Sequence, residues 1–567
     1  MPAMLVRLLT FLVRLALLPL WAPIWLLRRR VPAGVWLHVT VEGPVVDYAQ
    51  RRLFSFATAP TSIHGLEQLA EQIAKDSRVR GVLVTIRSFG GGMATATGFR
   101  DVLAKIAASG REVVVHLPLG GDTKELYVAS AAHRILVGPQ STIAPIGFAS
   151  STRYFKRTLE KVRLEPQILS RGAFKSAGET LVRDSMSEPQ KEQLGAILDQ
   201  FYEELVGALA QGRKVDLDRA RAWVDGAPYR GSAATEAGLV DGIAYEDELP
   251  ALLGSKERAA HILDAKSYLA RQTTRLLPKL RAPSFVAIVA VHGTIRGGVR
   301  QAVAMDDRVM ATVRLARMNP RVRAVVLHVN SPGGSALASD RMYHELLQLA
   351  REKPLVACFS DVAASGGYYV AAAAHHVVAQ RTTITGSIGV ISARVAADPL
   401  MDRLGIVTES MTRGARASLL DPMHRLTEDE TRAIDTEIGG MYDAFVGIVA
   451  EGRKRERADI ERVAQGRVWT GKDAQTHGLV DELGGLRTAL TAARTRAGLS
   501  ELAPVAVLRA PAWSRIPPLP LPKSAAATEE HLFGRVLGLF GMDLDLFHLV
   551  RGRERVLLLS ELARLFS

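Results

Sequence analysis

Short β-branched runs and helical stretches alternate along most of this chain. A helical pattern around Leu66 to Lys75 leads into the apolar run Gly81-Val82-Leu83-Val84-Thr85-Ile86, which closes on Ser88-Phe89-Gly90-Gly91-Gly92. That alternation predicts α/β units. The programme then repeats. Val35 to Val41 ends at Gly43 as Phe285 to Val291 ends at Gly293, and Val325-Val326-Leu327-His328-Val329 closes on Asn330-Ser331-Pro332-Gly333-Gly334-Ser335. Arg78-Val79-Arg80 matches Arg321-Val322-Arg323 at an offset of 243, Tyr127-Val128-Ala129 matches Tyr369-Val370-Ala371 at 242, and Gly238-Leu239-Val240-Asp241 matches Gly478-Leu479-Val480-Asp481 at 240. A register this steady from Arg78 to Asp241 predicts a tandem duplication in which each copy is a whole domain.

The two ends of the chain depart from this pattern. Met4 to Leu27 is strongly apolar and ends in Arg28-Arg29-Arg30. A bilayer span needs ~20 mainly apolar residues, and no small-residue cleavage site follows, so a retained N-terminal membrane helix is expected. Arg7, Arg14, Pro19 and Pro23 interrupt it, which makes an in-plane amphipathic anchor the competing reading. The triple arginine would hold the body on the cytoplasmic side by the positive-inside rule. At the other end, Pro517-Pro518-Leu519-Pro520-Leu521-Pro522 is an extended spacer, and His531 to Phe566 carries Leu532, Phe533, Val536, Leu537, Leu539 and Phe540 at helical spacing. The expected organisation is an anchor at 1–30, a first repeat at 31–265, a linker at 266–283, a second repeat at 284–508, and a Pro-rich linker with an amphipathic tail at 509–567.

Composition narrows the partners. With 48% hydrophobic and 23% charged residues over 567 positions the chain folds, and at ~150 residues per domain it holds several units. The formal charge of +14 is dispersed over arginines, which suits an anionic membrane surface and not nucleic acid. No zinc-ligand spacing or RNA-binding aromatic motif is present, and no metal or cofactor is expected. The single cysteine, Cys358, excludes an internal disulfide and sits in the run Leu355-Val356-Ala357-Cys358-Phe359 as a small core hydrophobe.

The candidate chemistry lies where the copies differ. Ala364-Ser365-Gly366-Gly367 precedes an Ala-rich apolar run, a hydroxyl at a tight turn feeding a buried helix. At an offset of 242 the first copy has Thr123-Lys124-Glu125 there and no serine turn. Conversely, Ser170-Arg171-Gly172-Ala173-Phe174-Lys175 corresponds to Thr412-Arg413-Gly414-Ala415-Arg416-Ala417, so the lysine survives only in the first copy. One site built from Ser365 and Lys175 explains both losses. Serine is a poor nucleophile until a base takes its proton, and lysine serves only when burial lowers its pKa, as Ala173, Phe174 and Ala177 would do. Gly333, Gly334 and the amide of Gly366 are the expected oxyanion donors. Ser387, matched by Pro145 in the first copy, has two readings, a hydroxyl that orients the lysine and a plain turn serine. His375 and His376 are rejected as the base because no third, orienting group accompanies them.

Taken together, Asn330-Ser331-Pro332-Gly333-Gly334-Ser335, Ala364-Ser365-Gly366-Gly367-Tyr368-Tyr369, Thr385-Gly386-Ser387-Ile388-Gly389 and Phe174-Lys175-Ser176 resemble the signal peptide peptidase A (protease IV) family in its long, duplicated form, over roughly residues 35 to 500. The resemblance implies tandem Clp/crotonase-like (ββα spiral) domains and a serine peptidase with Ser365 as nucleophile and Lys175 as general base. It also implies a tetramer that cuts leftover signal peptides and other apolar peptides at the bacterial inner membrane, its catalytic body outside the cytoplasm. Two rival readings are a crotonase-type acyl-CoA enzyme, which leaves the Ser/Lys exchange unexplained, and a non-catalytic membrane scaffold.

Overall fold

A computed structural model describes residues 2–49, 60–274, 276–277, 282–297, 306–419, 421, 424–510 and 557–559. The chain divides into two compact units, one of residues 1–149, 198–284 and 484–487, the other of residues 150–197, 285–483 and 488–567. These units cut across the repeats read from the sequence, because residues 150–197 of the first copy fold into the second unit. The expected linker begins inside an element, the helix Ala265–Thr273, whose Tyr268 is buried and donates its hydroxyl to Asp76 at 2.9 Å.

The first unit is built on a six-stranded parallel sheet in the order Gly242–Ile243, Arg134–Val137, Glu112–Leu117, Val79–Ile86, Val35–Val41, Ile262–Asp264. Its central strands are buried along nearly their whole length, which is why they read as continuous apolar runs. The second unit repeats the plan with Glu482–Leu483, His376–Ala379, Leu355–Ala364, Val322–Ser331, Phe285–His292 and Val505–Val507, all parallel, and adds Ile384–Gly386 and, antiparallel to it, Val468–Thr470 to the same sheet. In each unit a buried arginine and an aspartate tie the strand after the short helix to the rest. Arg213 bridges Asp241 and the Ala132 carbonyl, with Ile135 N–H on Asp241; Arg453 does the same with Asp481, Ala374 and Val377. Cys358 is buried in the strand Leu355–Ala364.

One feature of the second sheet positions the site. The strand Leu355–Ala364 pairs along its first half with His376–Ala379 and along its last three residues with Ile384–Gly386. The sheet therefore forks, and Ser365 stands at the fork. A second, four-stranded sheet lies alongside in the order Gly333–Ser335, Leu557–Leu559, Val390–Ala396, Glu165–Arg171.

At the N-terminus the apolar run forms two helices, Pro2–Ala16 and Leu18–Arg29, bent by 82°. Among the described residues no single helix is long and apolar enough to cross a membrane, although this bent pair passes by length and composition. The break has a local cause: Pro19 carries no N–H and its ring excludes the carbonyl four residues back. The second helix is fastened to its unit by Trp25, whose indole N–H donates to the Thr274 carbonyl at 2.9 Å, and by Arg29, which donates to the Gln272 carbonyl at 3.2 Å. The Pro-rich segment and most of the amphipathic tail lie outside the described residues. Leu557–Leu559, expected to be helical, is a strand with a neighbour on each side.

Candidate active site

Ser365 caps the strand Leu355–Ala364 and starts the helix Gly366–Ala371 with φ 55° and ψ −116°. A side-chain-bearing residue held there costs about 1–3 kcal/mol and persists only when its surroundings fix it. They do so here on both sides: the Ser365 N–H donates to the Gly386 carbonyl at 2.8 Å, and its carbonyl accepts from Tyr369 N–H at 2.8 Å. The two glycines that follow have a steric reason. A Cβ on Gly366 would lie 2.6 Å from Ser339 Oγ and 3.3 Å from both Gly333 Cα and Gly334 N, and one on Gly367 would lie 2.7 Å from the Ser331 carbonyl oxygen. The turn is thus pressed directly against the segment Ser331–Ser335.

Lys175 reaches this turn from the end of the strand Glu165–Arg171, which pairs antiparallel with Val390–Ala396. Its Nζ stands 2.9 Å from Ser365 Oγ, 3.0 Å from the Ser387 carbonyl oxygen and 3.0 Å from Ser387 Oγ. Lysine and both serines are buried, and desolvation holds the amine well below the usual lysine range. A neutral amine has two N–H donors and one lone pair. If the two donors are spent on the Ser387 carbonyl and hydroxyl, the lone pair faces the Ser365 hydroxyl, the arrangement a base requires. Ser387 is itself held at φ 52° by its N–H, which donates to the Arg467 carbonyl at 2.7 Å. Gly466 lets the lysine arm close in, since a Cβ there would fall 2.6 Å from Lys175 Cβ.

The three expected oxyanion glycines are not equivalent. Gly333 donates its N–H to Ser331 Oγ at 3.2 Å, while Gly334 borders the Gly366 turn and is pinned by the Ile295 segment, whose N–H donates to the Gly333 carbonyl at 2.8 Å. The rejected histidines have other partners: His375 Nδ1 accepts from Leu355 N–H, as His133 does from Val113 N–H in the first unit, and His376 meets Glu482. In the first unit the corresponding position is filled by its own side chains. Glu125 accepts N–H groups of Phe89 and Asp122 at 3.0 and 3.3 Å, Lys124 donates to the Gly91 carbonyl at 2.6 Å, and burial beside Asp122 pushes the Glu125 carboxyl up to about 7.

Beside Ser365 is a slot one strand wide. Leu557–Leu559 occupies it, antiparallel to the glycine strand (Gly333 opposite Leu559, Ser335 opposite Leu557) and to Ile391 across the way. Gln193 and Arg467 also belong to this neighbourhood and had no sequence signal, since neither sits in a motif or an apolar periodicity.

A buried serine on a strained turn, beside glycine amides and a strand slot, is the equipment of a serine hydrolase acting on extended chains. The comparisons give the class its family: peptidase family S49 matches residues 107–259 and again 348–500, so the chain belongs to that family, carries its domain twice, and is a serine peptidase. It is 32% identical to the chloroplastic serine protease SPPA of Arabidopsis thaliana, over 83% of this chain and 70% of that protein. It is 29% identical to Protease 4 of Haemophilus influenzae, over 75% of this chain and 71% of that one, and 34% identical to a putative signal peptide peptidase SppA of Enterococcus faecium, over 32% and 53%.

Proposed function

We propose that this chain is a membrane-attached endopeptidase that hydrolyses extended apolar peptides, cleaved signal peptides among them, with Ser365 as nucleophile and Lys175 as general base. The observation that carries the reading is the buried, desolvated Lys175 amine 2.9 Å from Ser365 Oγ. The neutral amine takes the hydroxyl proton as Oγ attacks the scissile carbonyl carbon. The amides of Gly366 and Gly334 receive the resulting oxyanion. The lysine ammonium then protonates the leaving amine as the C–N bond breaks, leaving an acyl-serine ester. Water, deprotonated by the same amine, attacks the ester and releases the carboxylic acid and Ser365.

The substrate enters as a strand in the slot filled by Leu557–Leu559, adding main-chain pairing to both neighbours, a common mode of peptide recognition. The forked sheet of the second unit, and the parallel sheet of the same plan in the first, support a Clp/crotonase-type spiral for each repeat. The bent, arginine-flanked apolar helices support attachment to an anionic bilayer; the body outside the cytoplasm and the homotetramer are taken from the family resemblance alone, against the cytoplasmic side that the triple arginine favours.

The test is cleavage of a leucine-rich fluorogenic peptide by the detergent-solubilised full chain. Ser365→Ala should abolish turnover and Lys175→Ala should lower kcat about 10²–10⁴-fold. Turnover of the Ser365→Ala chain at the wild-type rate would overturn the assignment.

A further inference from the structure

Lys175 sits on a short irregular arm, and an arm alone does not hold an amine to a fraction of an ångström. Ahead of it the strand Glu165–Arg171 is fixed by its ladder; behind it the chain turns away at Ser176. Before the lysine, Gln465 holds the arm by accepting the Phe174 N–H on its carbonyl at 2.8 Å and the Ala173 N–H on its side chain at 3.3 Å; across the lysine itself the arm is gripped by the helix Glu188–Arg213, through Gln193, which is 1% exposed. Its Nε2 donates to the Phe174 carbonyl at 3.1 Å and to Ser176 Oγ at 3.3 Å, on the two sides of the lysine, and its Oε1 accepts from Val468 N–H at 3.1 Å. Val468 opens the strand Val468–Thr470, which pairs with Ile384–Gly386 immediately before Ser387. One amide therefore ties the base-bearing arm to the strand that carries the lysine's other anchor.

The residue next to Val468 closes the same junction from outside. The Arg467 guanidinium is sandwiched between the rings of Phe174 and Trp469, 4.7 and 4.5 Å from their centroids, and pairs with Glu192 at 2.6 Å, while its carbonyl accepts the Ser387 N–H. Glu192 and Gln193 are thus consecutive residues of one helix, each bonded to one of the consecutive residues Arg467 and Val468. Three partners take both N–H groups and one oxygen lone pair of the Gln193 amide and fix which way it points: a carboxamide matches a carbonyl on one side and an N–H on the other.

We infer that Gln193 is a positioning residue for the general base, holding Lys175 at its distance from Ser365 and keeping water away from the amine. The inference rests on the reading of Lys175 as the base. Gln193→Leu conserves most of the volume and removes all three hydrogen bonds. Gln193→Asn keeps a buried amide one methylene too short to bridge, and serves where the leucine variant folds poorly.

In the full-length chain, active sites are first counted with a serine-directed fluorophosphonate, and kcat and KM per counted site are then measured against pH. A loosened arm lets water reach the amine, so the lysine pKa returns toward its ordinary value. The acid limb of kcat/KM then moves to higher pH, kcat per site falls about 10- to 100-fold near neutrality, and KM stays within about twofold. A merely structural role would reduce the number of counted sites and leave the limb where it is. Wild-type limb position in both variants overturns the inference. Wild-type activity in Lys175→Ala overturns the base assignment instead, so the two failures are distinguishable.

Discussion

Replacing Ser387 by alanine takes one of three partners from the Lys175 amine and leaves the fold around it in place. The hydroxyl 3.0 Å from Nζ disappears, the Ser387 carbonyl at 3.0 Å remains, and the N–H once directed at the hydroxyl is stranded in a buried site. A buried donor without an acceptor costs about 1–3 kcal/mol, and each 1.4 kcal/mol is tenfold in rate. Because that cost falls on the amine that must be aimed at Ser365, kcat should drop roughly 5- to 150-fold, with KM within about twofold since the strand slot is untouched. Alanine is as strained as serine at φ 52°, so the loss is not masked by relief of the backbone. Ser387→Gly relieves that strain and should lose as much kcat while gaining thermal stability. The assay is steady-state hydrolysis of a fluorogenic peptide by the full-length chain in detergent. Wild-type kcat in both variants would refute the idea that this hydroxyl orients the base.

Three further outcomes follow from the same geometry. Lys175 has a folded-state pKa below its unfolded value of about 10.4, so between the two the unfolded chain binds one proton more and wild-type stability rises with pH by about 1.4 kcal/mol per unit. Lys175→Met removes this dependence. In urea titrations the variant should therefore gain on the wild type most at low pH and lose that advantage as pH climbs to the unfolded value; parallel curves would contradict the desolvation argument. Gly366→Ala forces a methyl to within 2.6 Å of Ser339 Oγ, an overpacking cost of about 1–3 kcal/mol, and should nearly abolish kcat; adding Ser339→Ala should restore part of the loss, which a double-mutant cycle measures. Leu558→Pro removes an N–H from a strand flanked on both sides and should free the slot, lowering KM for peptides; an unchanged KM would mean that the tail does not compete with substrate.

That Ser365, Lys175 and Ser387 would lie side by side was readable because duplication provides an internal control: each copy keeps what the other has lost, and Ser387 against Pro145 follows the same logic. The parallel sheets were readable from their uninterrupted apolar runs. Periodicity does not say which sheet edge a strand will join, however, so the strand Glu165–Arg171 gave no hint that it would pair with Val390–Ala396 and carry residues 150–197 into the second unit. Leu557–Leu559 sits in a helical pattern and is nonetheless extended, because main-chain partners on both sides outweigh local preference. Pro19 and Pro23 were visible breakers, but the 82° bend is set with the second helix fastened to Gln272 and Thr274. Gln193 left no trace because its value lies in three partners distant in sequence.

The most direct test of the account is the rate at which a fluorophosphonate labels Ser365 as a function of pH. The wild-type rate should rise to a plateau with a midpoint well below the ordinary lysine value, with mass spectrometry locating the adduct on Ser365. Lys175→Ala should label far more slowly and without that midpoint. Equal labelling of wild type and Lys175→Ala across the pH range would contradict a lysine base.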